Sequence, residues 1–272
     1  MRPDYVTDSF IEDFISRAIT EDIGAGDYSS LSTIPAYQTG VARLILKEDG
    51  VLAGLDLVKE IFAKIDKTLH TTFCKRDGER ALAGDTILTV TGHVRSILST
   101  ERLVLNCLQR MSGIATQTNT MCQILKGTQA KLLDTRKTTP TIRALEKWAV
   151  FIGGGTNHRF ALYDMIMLKD NHVDFAGGIT PALQAAKTYI KSLGKDLQVE
   201  IETRTLSEVK EALDCGLADI IMLDNMDIAT MEKAVKLING QAKTEASGGI
   251  TIENLRAIAL TGVDYIAVGA LT

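Results

Sequence analysis

The stretch Ile220-Ile-Met-Leu-Asp224-Asn225-Met-Asp-Ile228-Ala-Thr-Met-Glu-Lys-Ala-Val-Lys-Leu-Ile238 sets an apolar run of strand length, a polar end and a helix-length segment in that order. Isolated, such a run could be a buried strand or part of a buried helix. The same pattern recurs on both sides of it. Strand-like runs are expected at Ala130–Leu133, Met165–Leu168, Leu197–Ile201, Ile220–Leu223, Lys243–Ala246 and Tyr265–Val268. Helix-like segments are expected at Pro140–Val150, Thr180–Leu193, Leu206–Cys215, Ile228–Ile238 and Ile252–Leu260. Strands alternating with helices predict a parallel sheet, either an open doubly wound sheet or a barrel.

The strand ends choose between the two. Each finishes in polar residues or glycine: Asp134-Thr-Arg136-Lys137, Lys169-Asp-Asn171, Glu202, Asp224-Asn225, Ser247-Gly-Gly249 and Gly269. An open sheet uses only the few ends at its switch point, whereas a (β/α) barrel brings all of them to one mouth. Chemistry on every end favours the barrel.

Ahead of this region the pattern differs. Phe10, Ile11, Phe14, Ile15, Ala18 and Ile19 follow helical spacing over Ser9–Ile19. Strand-like stretches at Val41–Lys47, Leu69–Cys74 and Thr86–Val90 are broken by Asp49-Gly50, Asp77-Gly78 and Gly84-Asp85, with a helix at Leu55–Ile65. The result is an α+β region with an antiparallel sheet. Ser99 is expected to cap a long helix with Arg102 in its first turn, where a cation opposes the helix dipole. The expected domains are residues 1–112, including the linking helix, and a barrel at 113–272.

A chain of 272 residues, 45% apolar, can bury a large core. Net charge is −4, yet Arg102 to His172 holds ten Lys/Arg against four Asp/Glu, so a local +6 faces −10 elsewhere. Cations concentrated in one cleft of an acidic protein focus a field on a small anion; the bland alternative is a solvated basic face. No run approaches the ~18 apolar residues of a membrane span, and Met1-Arg-Pro-Asp-Tyr-Val-Thr-Asp does not read as a secretory leader. Cys74, Cys107, Cys122 and Cys215 are scattered among apolar neighbours, which predicts free thiols in a reducing, cytoplasmic setting and argues against structural zinc. Few aromatics and no basic block speak against a nucleic-acid surface.

Ser247-Gly248-Gly249 leads into a helix near Thr251, and Gly269-Ala270 follows the last strand. Glycines there let backbone N–H groups approach an anion, as in the phosphate site of many barrels; two ordinary turns would also favour glycine. Arg136, Lys137, Arg159 and Lys169 are expected at the same mouth, and four cations suggest polyanionic ligands. His158 could donate to a carboxylate or be a satisfied loop histidine, and His172 is equally open, while His70 and His93 read as scaffold. Glu200 and Glu202 lie two apart on one strand and share a face, and Asp224 ends the next. Carboxylates among cations are expected to keep low pKa values. They could hold Mg²⁺ with a phosphate, stabilise a developing cation, or form structural ion pairs.

Several strings together resemble the quinolinate phosphoribosyltransferases, the carboxylating nicotinate-nucleotide pyrophosphorylases. They are Glu101-Arg-Leu-Val-Leu-Asn106, Ser112-Gly-Ile-Ala-Thr116, Asp134-Thr-Arg-Lys-Thr-Thr-Pro140, Asn157-His-Arg159, Lys169-Asp-Asn-His172, Val199-Glu-Ile-Glu202, Leu223-Asp-Asn225 and Glu245-Ala-Ser-Gly-Gly-Ile250. The resemblance spans nearly the whole chain. It implies an N-terminal sandwich, an incomplete seven-stranded barrel whose seventh strand would fall near Trp148–Ile152, and a homodimer with shared sites. The implied quinolinate pocket is Thr135, Arg136, Lys137, His158, Arg159 and Lys169, with Arg102 from a second subunit. The phosphoribosyl pyrophosphate side maps to Glu202 and Asp224, through Mg²⁺, with the phosphate on Ser247, Gly248, Gly249, Gly269 and Ala270. Lys137, Lys169, Glu202 and Asp224 would carry catalysis, with no organic cofactor.

Three departures stand out. Thr141 replaces the glycine usual after Thr-Thr-Pro, an extra residue within Cys215-Gly-Leu-Ala-Asp219 lengthens the Glu202-to-Asp224 spacing, and the family continues beyond Leu271-Thr272 into a tail. The implied activity is phosphoribosyl transfer to quinolinate with loss of CO₂, in pyridine nucleotide and NAD biosynthesis. Rivals are a related transferase with another acceptor, a non-catalytic sensor, and an aldolase-type barrel with Lys169 as its Schiff-base lysine.

Overall fold

A computed structural model describes residues 2–272 and divides them into two compact units. One holds the residues up to Asn119 together with Thr139–Gly154, and the other holds Thr120–Thr138 with Gly155–Thr272. By packing, the chain leaves the second unit after Thr138 and rejoins it at Gly155.

In the first unit, α1 (Asp8–Asp22) is capped by the Thr7 hydroxyl, which accepts from Phe10 N, and α2 (Tyr28–Thr33) is capped by Asp27. Strands β1 (Thr39–Ile45), β3 (His70–Phe73) and β5 (Thr86–His93) form an antiparallel sheet in the order β1-β5-β3. A second antiparallel pair joins β2 (Gly50–Val51) to β4 (Arg80–Ala81). Along α3 (Leu55–Ile65), Leu57, Val58, Ile61 and Phe62 are buried at the i, i+1, i+4, i+5 spacing of one helix face.

Two expectations about the linking helix fail. β5 runs straight into α4 (Val94–Ile124), so the helix starts five residues before Ser99. Ser99 is therefore interior and its hydroxyl donates to Ser96 O at 3.3 Å. Arg102 lies in the third turn, beyond the reach of the N-terminal dipole. The segment Trp148–Ile152 is not a strand but the end of α5 (Arg143–Ile152). It carries an unbroken buried run from Ala144 to Val150, with Trp148 fully enclosed. In this unit Glu146 is also fully buried; its Oε1 accepts from Arg110 Nε at 2.9 Å and Nη2 at 2.5 Å, and its Oε2 accepts from Thr139 N at 2.8 Å. A buried carboxylate is tolerable with its hydrogen bonds filled in this way.

Thr141 adopts φ 73°. A β-branched residue in the left-handed region is a strained outlier, which explains why glycine belongs here. Thr141→Gly is expected to stabilise the protein by about 1 kcal/mol after the larger entropy loss of glycine is counted. Thermal melting checks it, and an unchanged or lower Tm would show that the threonine sits there without strain.

The second unit contains the βα repeats. Its strands are β6 (Lys131–Leu133), β7 (Ile166–Leu168), β8 (Val199–Thr203), β9 (Ile220–Asp224), β10 (Lys243–Ser247) and β11 (Tyr265–Ala267). They form one parallel sheet in the order β6-β11-β10-β9-β8-β7. Thr156 makes a parallel bridge to Leu133 on the outer edge of β6, and this is the seventh strand position. It escaped the sequence pattern because a single paired residue has no periodicity. The sheet is an incomplete barrel, not a closed ring.

Helices α7 (Ile179–Leu193), α8 (Leu206–Cys215), α9 (Ile228–Ile238) and α10 (Ile252–Leu260) connect the strands as expected. An unforeseen helix, α6 (Asp170–Ala176), follows Lys169. His172 belongs to its cap, since its Nδ1 accepts from Lys169 N at 3.0 Å. The middle strands are buried on both faces, with Val199, Ile201, Ile221, Leu223, Ala246 and Ile266 fully enclosed, as parallel sheets require. Among the described residues no helix is long and apolar enough to cross a membrane.

Candidate active site

The parallel strands all deliver their carboxyl ends to one side, so chain-distant residues meet there. A cavity of about 510 Å³ opens at those ends, and every residue lining it comes from the second unit. From the end of β6 come Thr135, Arg136 and Lys137; from the loop after Thr156, His158 and Arg159; and from the end of β7, Lys169. Glu202 of β8, Asp224 of β9, Ser247 at the end of β10 and Gly248 just beyond it also line the cavity, as expected from sequence. Gly249, Gly269 and Ala270 do not line it, and neither does Arg102, which is exposed on α4 in the first unit.

Arg136 Nε is buried and has no hydrogen-bond partner, an uncommon and costly state for a charged donor. Arg159 donates from Nη1 to Met165 O at 3.3 Å, and its Nη2 lies 3.4 Å from Met167 Sδ. Burial and the neighbouring Arg136 pull its pKa below the usual guanidinium value, and Glu200 and Asp164 offset this only in part. The stem of Lys137 crosses Gly269, where an added Cβ would stand 2.8 Å from Lys137 Cδ. That glycine therefore seats the lysine.

The acids behave differently from the sequence expectation. Glu202 was expected to stay low, yet burial and then the charges of Asp224 and Asp170 raise its carboxyl, outweighing Lys169 and the Asp170 backbone N–H. Lys169 is the one cation among the charges that act on Glu202. Asp224 Oδ2 accepts from Asn225 Nδ2 at 2.7 Å, and Asn225 N donates to Ser247 O at 2.9 Å. Asn225 holds φ 52°, and an added Cβ on Gly248 (φ 90°) would lie 2.2 Å from Asn225 Oδ1. Gly248 is thus required for Asn225 to lie against the turn and orient Asp224. Asn225 and Asp170 were missed as site residues, although both adjoin residues that were singled out.

Glu200 and Glu202 separate by depth. Glu202 lines the cavity, while Glu200 is fully buried and its Oε2 lies 2.9 Å from His158 Nε2. The other ring nitrogen, Nδ1, accepts from Arg159 N at 2.7 Å. Both nitrogens of His158 are engaged by the protein, so its ring is placed to organise the loop, and it does not present a free donor to a ligand carboxylate as the sequence suggested.

The family models for the N-terminal and C-terminal domains of quinolinate phosphoribosyl transferase match residues 27–112 and 114–272. A chloroplastic nicotinate-nucleotide pyrophosphorylase [carboxylating] from Oryza sativa subsp. japonica is 45% identical over 95% of this chain and 73% of its own length. A probable nicotinate-nucleotide pyrophosphorylase [carboxylating] from Bacillus subtilis is 43% identical over 96% of this chain and 89% of its own. The crystal structure of NadC from Streptococcus pyogenes superposes with a TM-score of 0.93 at 39% identity, covering 98% of this chain and 93% of that one. With both halves matched in order and relatives this similar over most of their own length, the chain belongs to the quinolinate phosphoribosyltransferase family.

Proposed function

We propose that the cavity joins quinolinate to phosphoribosyl pyrophosphate, releasing pyrophosphate and CO₂ and leaving nicotinate mononucleotide, a step of NAD biosynthesis. The family membership supports this glycosyltransferase reaction. The carrying observation at the site is Arg136, whose buried Nε lacks a partner beside three further cations. A pyridine with two adjacent carboxylates supplies the missing acceptors, and guanidinium forks match carboxylates well.

Arg136 and Arg159 hold the two carboxylates, with Thr135, Lys137 and Lys169 completing the anion cup. Ser247 and Gly248 offer the turn before α10 to the 5′-phosphate, and Gly249, Gly269 and Ala270 shape its outer edge. The pyridine nitrogen forms a bond to the anomeric carbon as the bond to pyrophosphate oxygen breaks. Positive charge develops on the ribose, and Glu202 and Asp224 face it. Catalysis of this kind is positional and electrostatic. The quaternised ring then accepts the electron pair released when the 2-carboxylate leaves as CO₂, and that carbon takes a proton. No organic cofactor is needed for this.

Glu202 and Asp224 also fit a Mg²⁺ arriving with phosphoribosyl pyrophosphate, because both carboxylates line the cavity together with Ser247 and Gly248. Bound there, Mg²⁺ would neutralise pyrophosphate charge. Arg102, exposed on α4, is free to serve a second copy's site, which makes a homodimer the expected working form. Four unpaired cysteines fit a cytoplasmic location.

The direct test mixes the protein with quinolinate, phosphoribosyl pyrophosphate and Mg²⁺. CO₂ and pyrophosphate should appear in equal amounts. Pyrophosphate without CO₂, or only with another acceptor, would reassign the acceptor to a related transferase.

A further inference from the structure

Beneath the cationic cup lie three acids that the reaction above leaves unused. Asp134, Glu200 and Glu245 are all fully buried, at the end of β6 and within β8 and β10. Buried carboxylates are expensive, and apolar residues of similar size usually replace them at no loss of stability. All three converge on the Asn157-His158-Arg159 loop. Asp134 Oδ1 accepts from His158 N at 2.8 Å and its Oδ2 from Asn157 Nδ2 at 2.6 Å. His158 Nε2 lies 2.9 Å from Glu200 Oε2 and 3.3 Å from Glu245 Oε2, and the imidazole is almost wholly enclosed.

The ring in turn controls Arg159. Its Nδ1 accepts the Arg159 backbone N–H at 2.7 Å, while the far end of the arginine is tied to Met165 O. Arg159 is therefore fixed at both ends before any ligand arrives. We propose that Glu200 and Glu245 are positioning residues for the acceptor: Glu200 hydrogen-bonds the His158 ring while Glu245 flanks the same nitrogen within ion-pair distance, and together they set the ring, and through it Arg159, so that a dianionic pyridine dicarboxylate meets a preset guanidinium. This rests on the function proposed above and names the residues that tune its acceptor side. Prepaid orientation raises affinity without adding a contact.

Burial opposes a charged ring and pushes the Glu245 carboxyl up to about 7, whereas the facing carboxylates pull the His158 pKa upward. A second ring proton on Nδ1 would meet the Arg159 N–H donor to donor. That contact decides between the opposing influences, and the ring keeps a single proton, on Nε2, facing the carboxylates.

Two experiments test the proposal. Glu245→Gln and Glu200→Gln should each weaken quinolinate binding at least tenfold by calorimetry and raise its KM in parallel, with the KM for phosphoribosyl pyrophosphate changed less than twofold. Glu245→Asp should restore part of the loss. Unchanged quinolinate binding in both folded glutamine variants, or equal losses for both substrates, would overturn it. So would one tightly held divalent ion per chain that Glu245→Gln releases, since His158, Glu200 and Glu245 stand close enough to ligate one. Nitrogen-15 NMR of the wild-type ring, assigned with His158→Asn, needs neither substrate nor a foldable glutamine variant. It should show His158 protonated on Nε2 and bare on Nδ1, and a proton on Nδ1 refutes the coupling to Arg159 even if quinolinate proves not to be the acceptor.

Discussion

Arg136→Ala is expected to give a folded protein whose KM for quinolinate rises by about thirtyfold to several thousandfold, the equivalent of roughly 2–5 kcal/mol for removing one partner of a desolvated charge pair. The structure explains why the loss should fall on binding and not on folding. Nε of Arg136 is buried without a partner, so its removal strands no protein acceptor. It also relieves the repulsion that helps pull the Arg159 guanidinium below its usual value. Tm should therefore hold or rise, a site-specific instance of stability exchanged for function. Separate KM values for the two substrates, with a melting curve, check this. A normal quinolinate KM would remove Arg136 from the acceptor pocket, and a collapse in Tm would make it a structural residue.

The βα repeats were legible because parallel strands buried on both faces read as short apolar runs, and the helices between them carry clear periodicity. Leu206–Cys215, Ile228–Ile238 and Ile252–Leu260 begin and end where the pattern placed them. Three features were not legible, each for a physical reason. The start of α4 was misplaced because Ser99 is a good cap in isolation, whereas the direct passage from β5 into the helix is a tertiary fact. The seventh strand position is one residue, Thr156, and one residue has no period. Glu200 and Glu202 share a face of β8 by alternation, but alternation says nothing about depth. Glu200 lies inside with His158, and Glu202 reaches the cavity one pleat repeat nearer the strand's end. The same limit hid the difference between His158, enclosed by acids, and Arg159, poised for a ligand. Charge clustering pointed to the strand ends where the cavity opens, while the roles within it depended on which atoms already had partners.

Asp224→Asn is expected to lower kcat by about 10²–10³, or roughly 2.7–4 kcal/mol, the scale for losing one preorganised electrostatic contact to a transition state. The substitution is nearly isosteric, so KM for phosphoribosyl pyrophosphate should move much less than kcat, and this split distinguishes charge stabilisation from uniform binding. Asn225→Ala provides the graded control. It removes the 2.7 Å hydrogen bond to Asp224 Oδ2 without removing the carboxylate, and should cost roughly one hydrogen bond, about tenfold in kcat. A pH profile gives an independent readout. The charge of Asp224 is one cause of the raised Glu202 carboxyl, second to burial. Neutralising Asp224 makes ionisation of Glu202 easier, so its pKa falls and the acid limb of the residual kcat should move to lower pH. An unchanged kcat would reject Asp224 as a stabiliser of the developing cation. An acid limb that stays in place would show that Glu202 titration does not govern the rate.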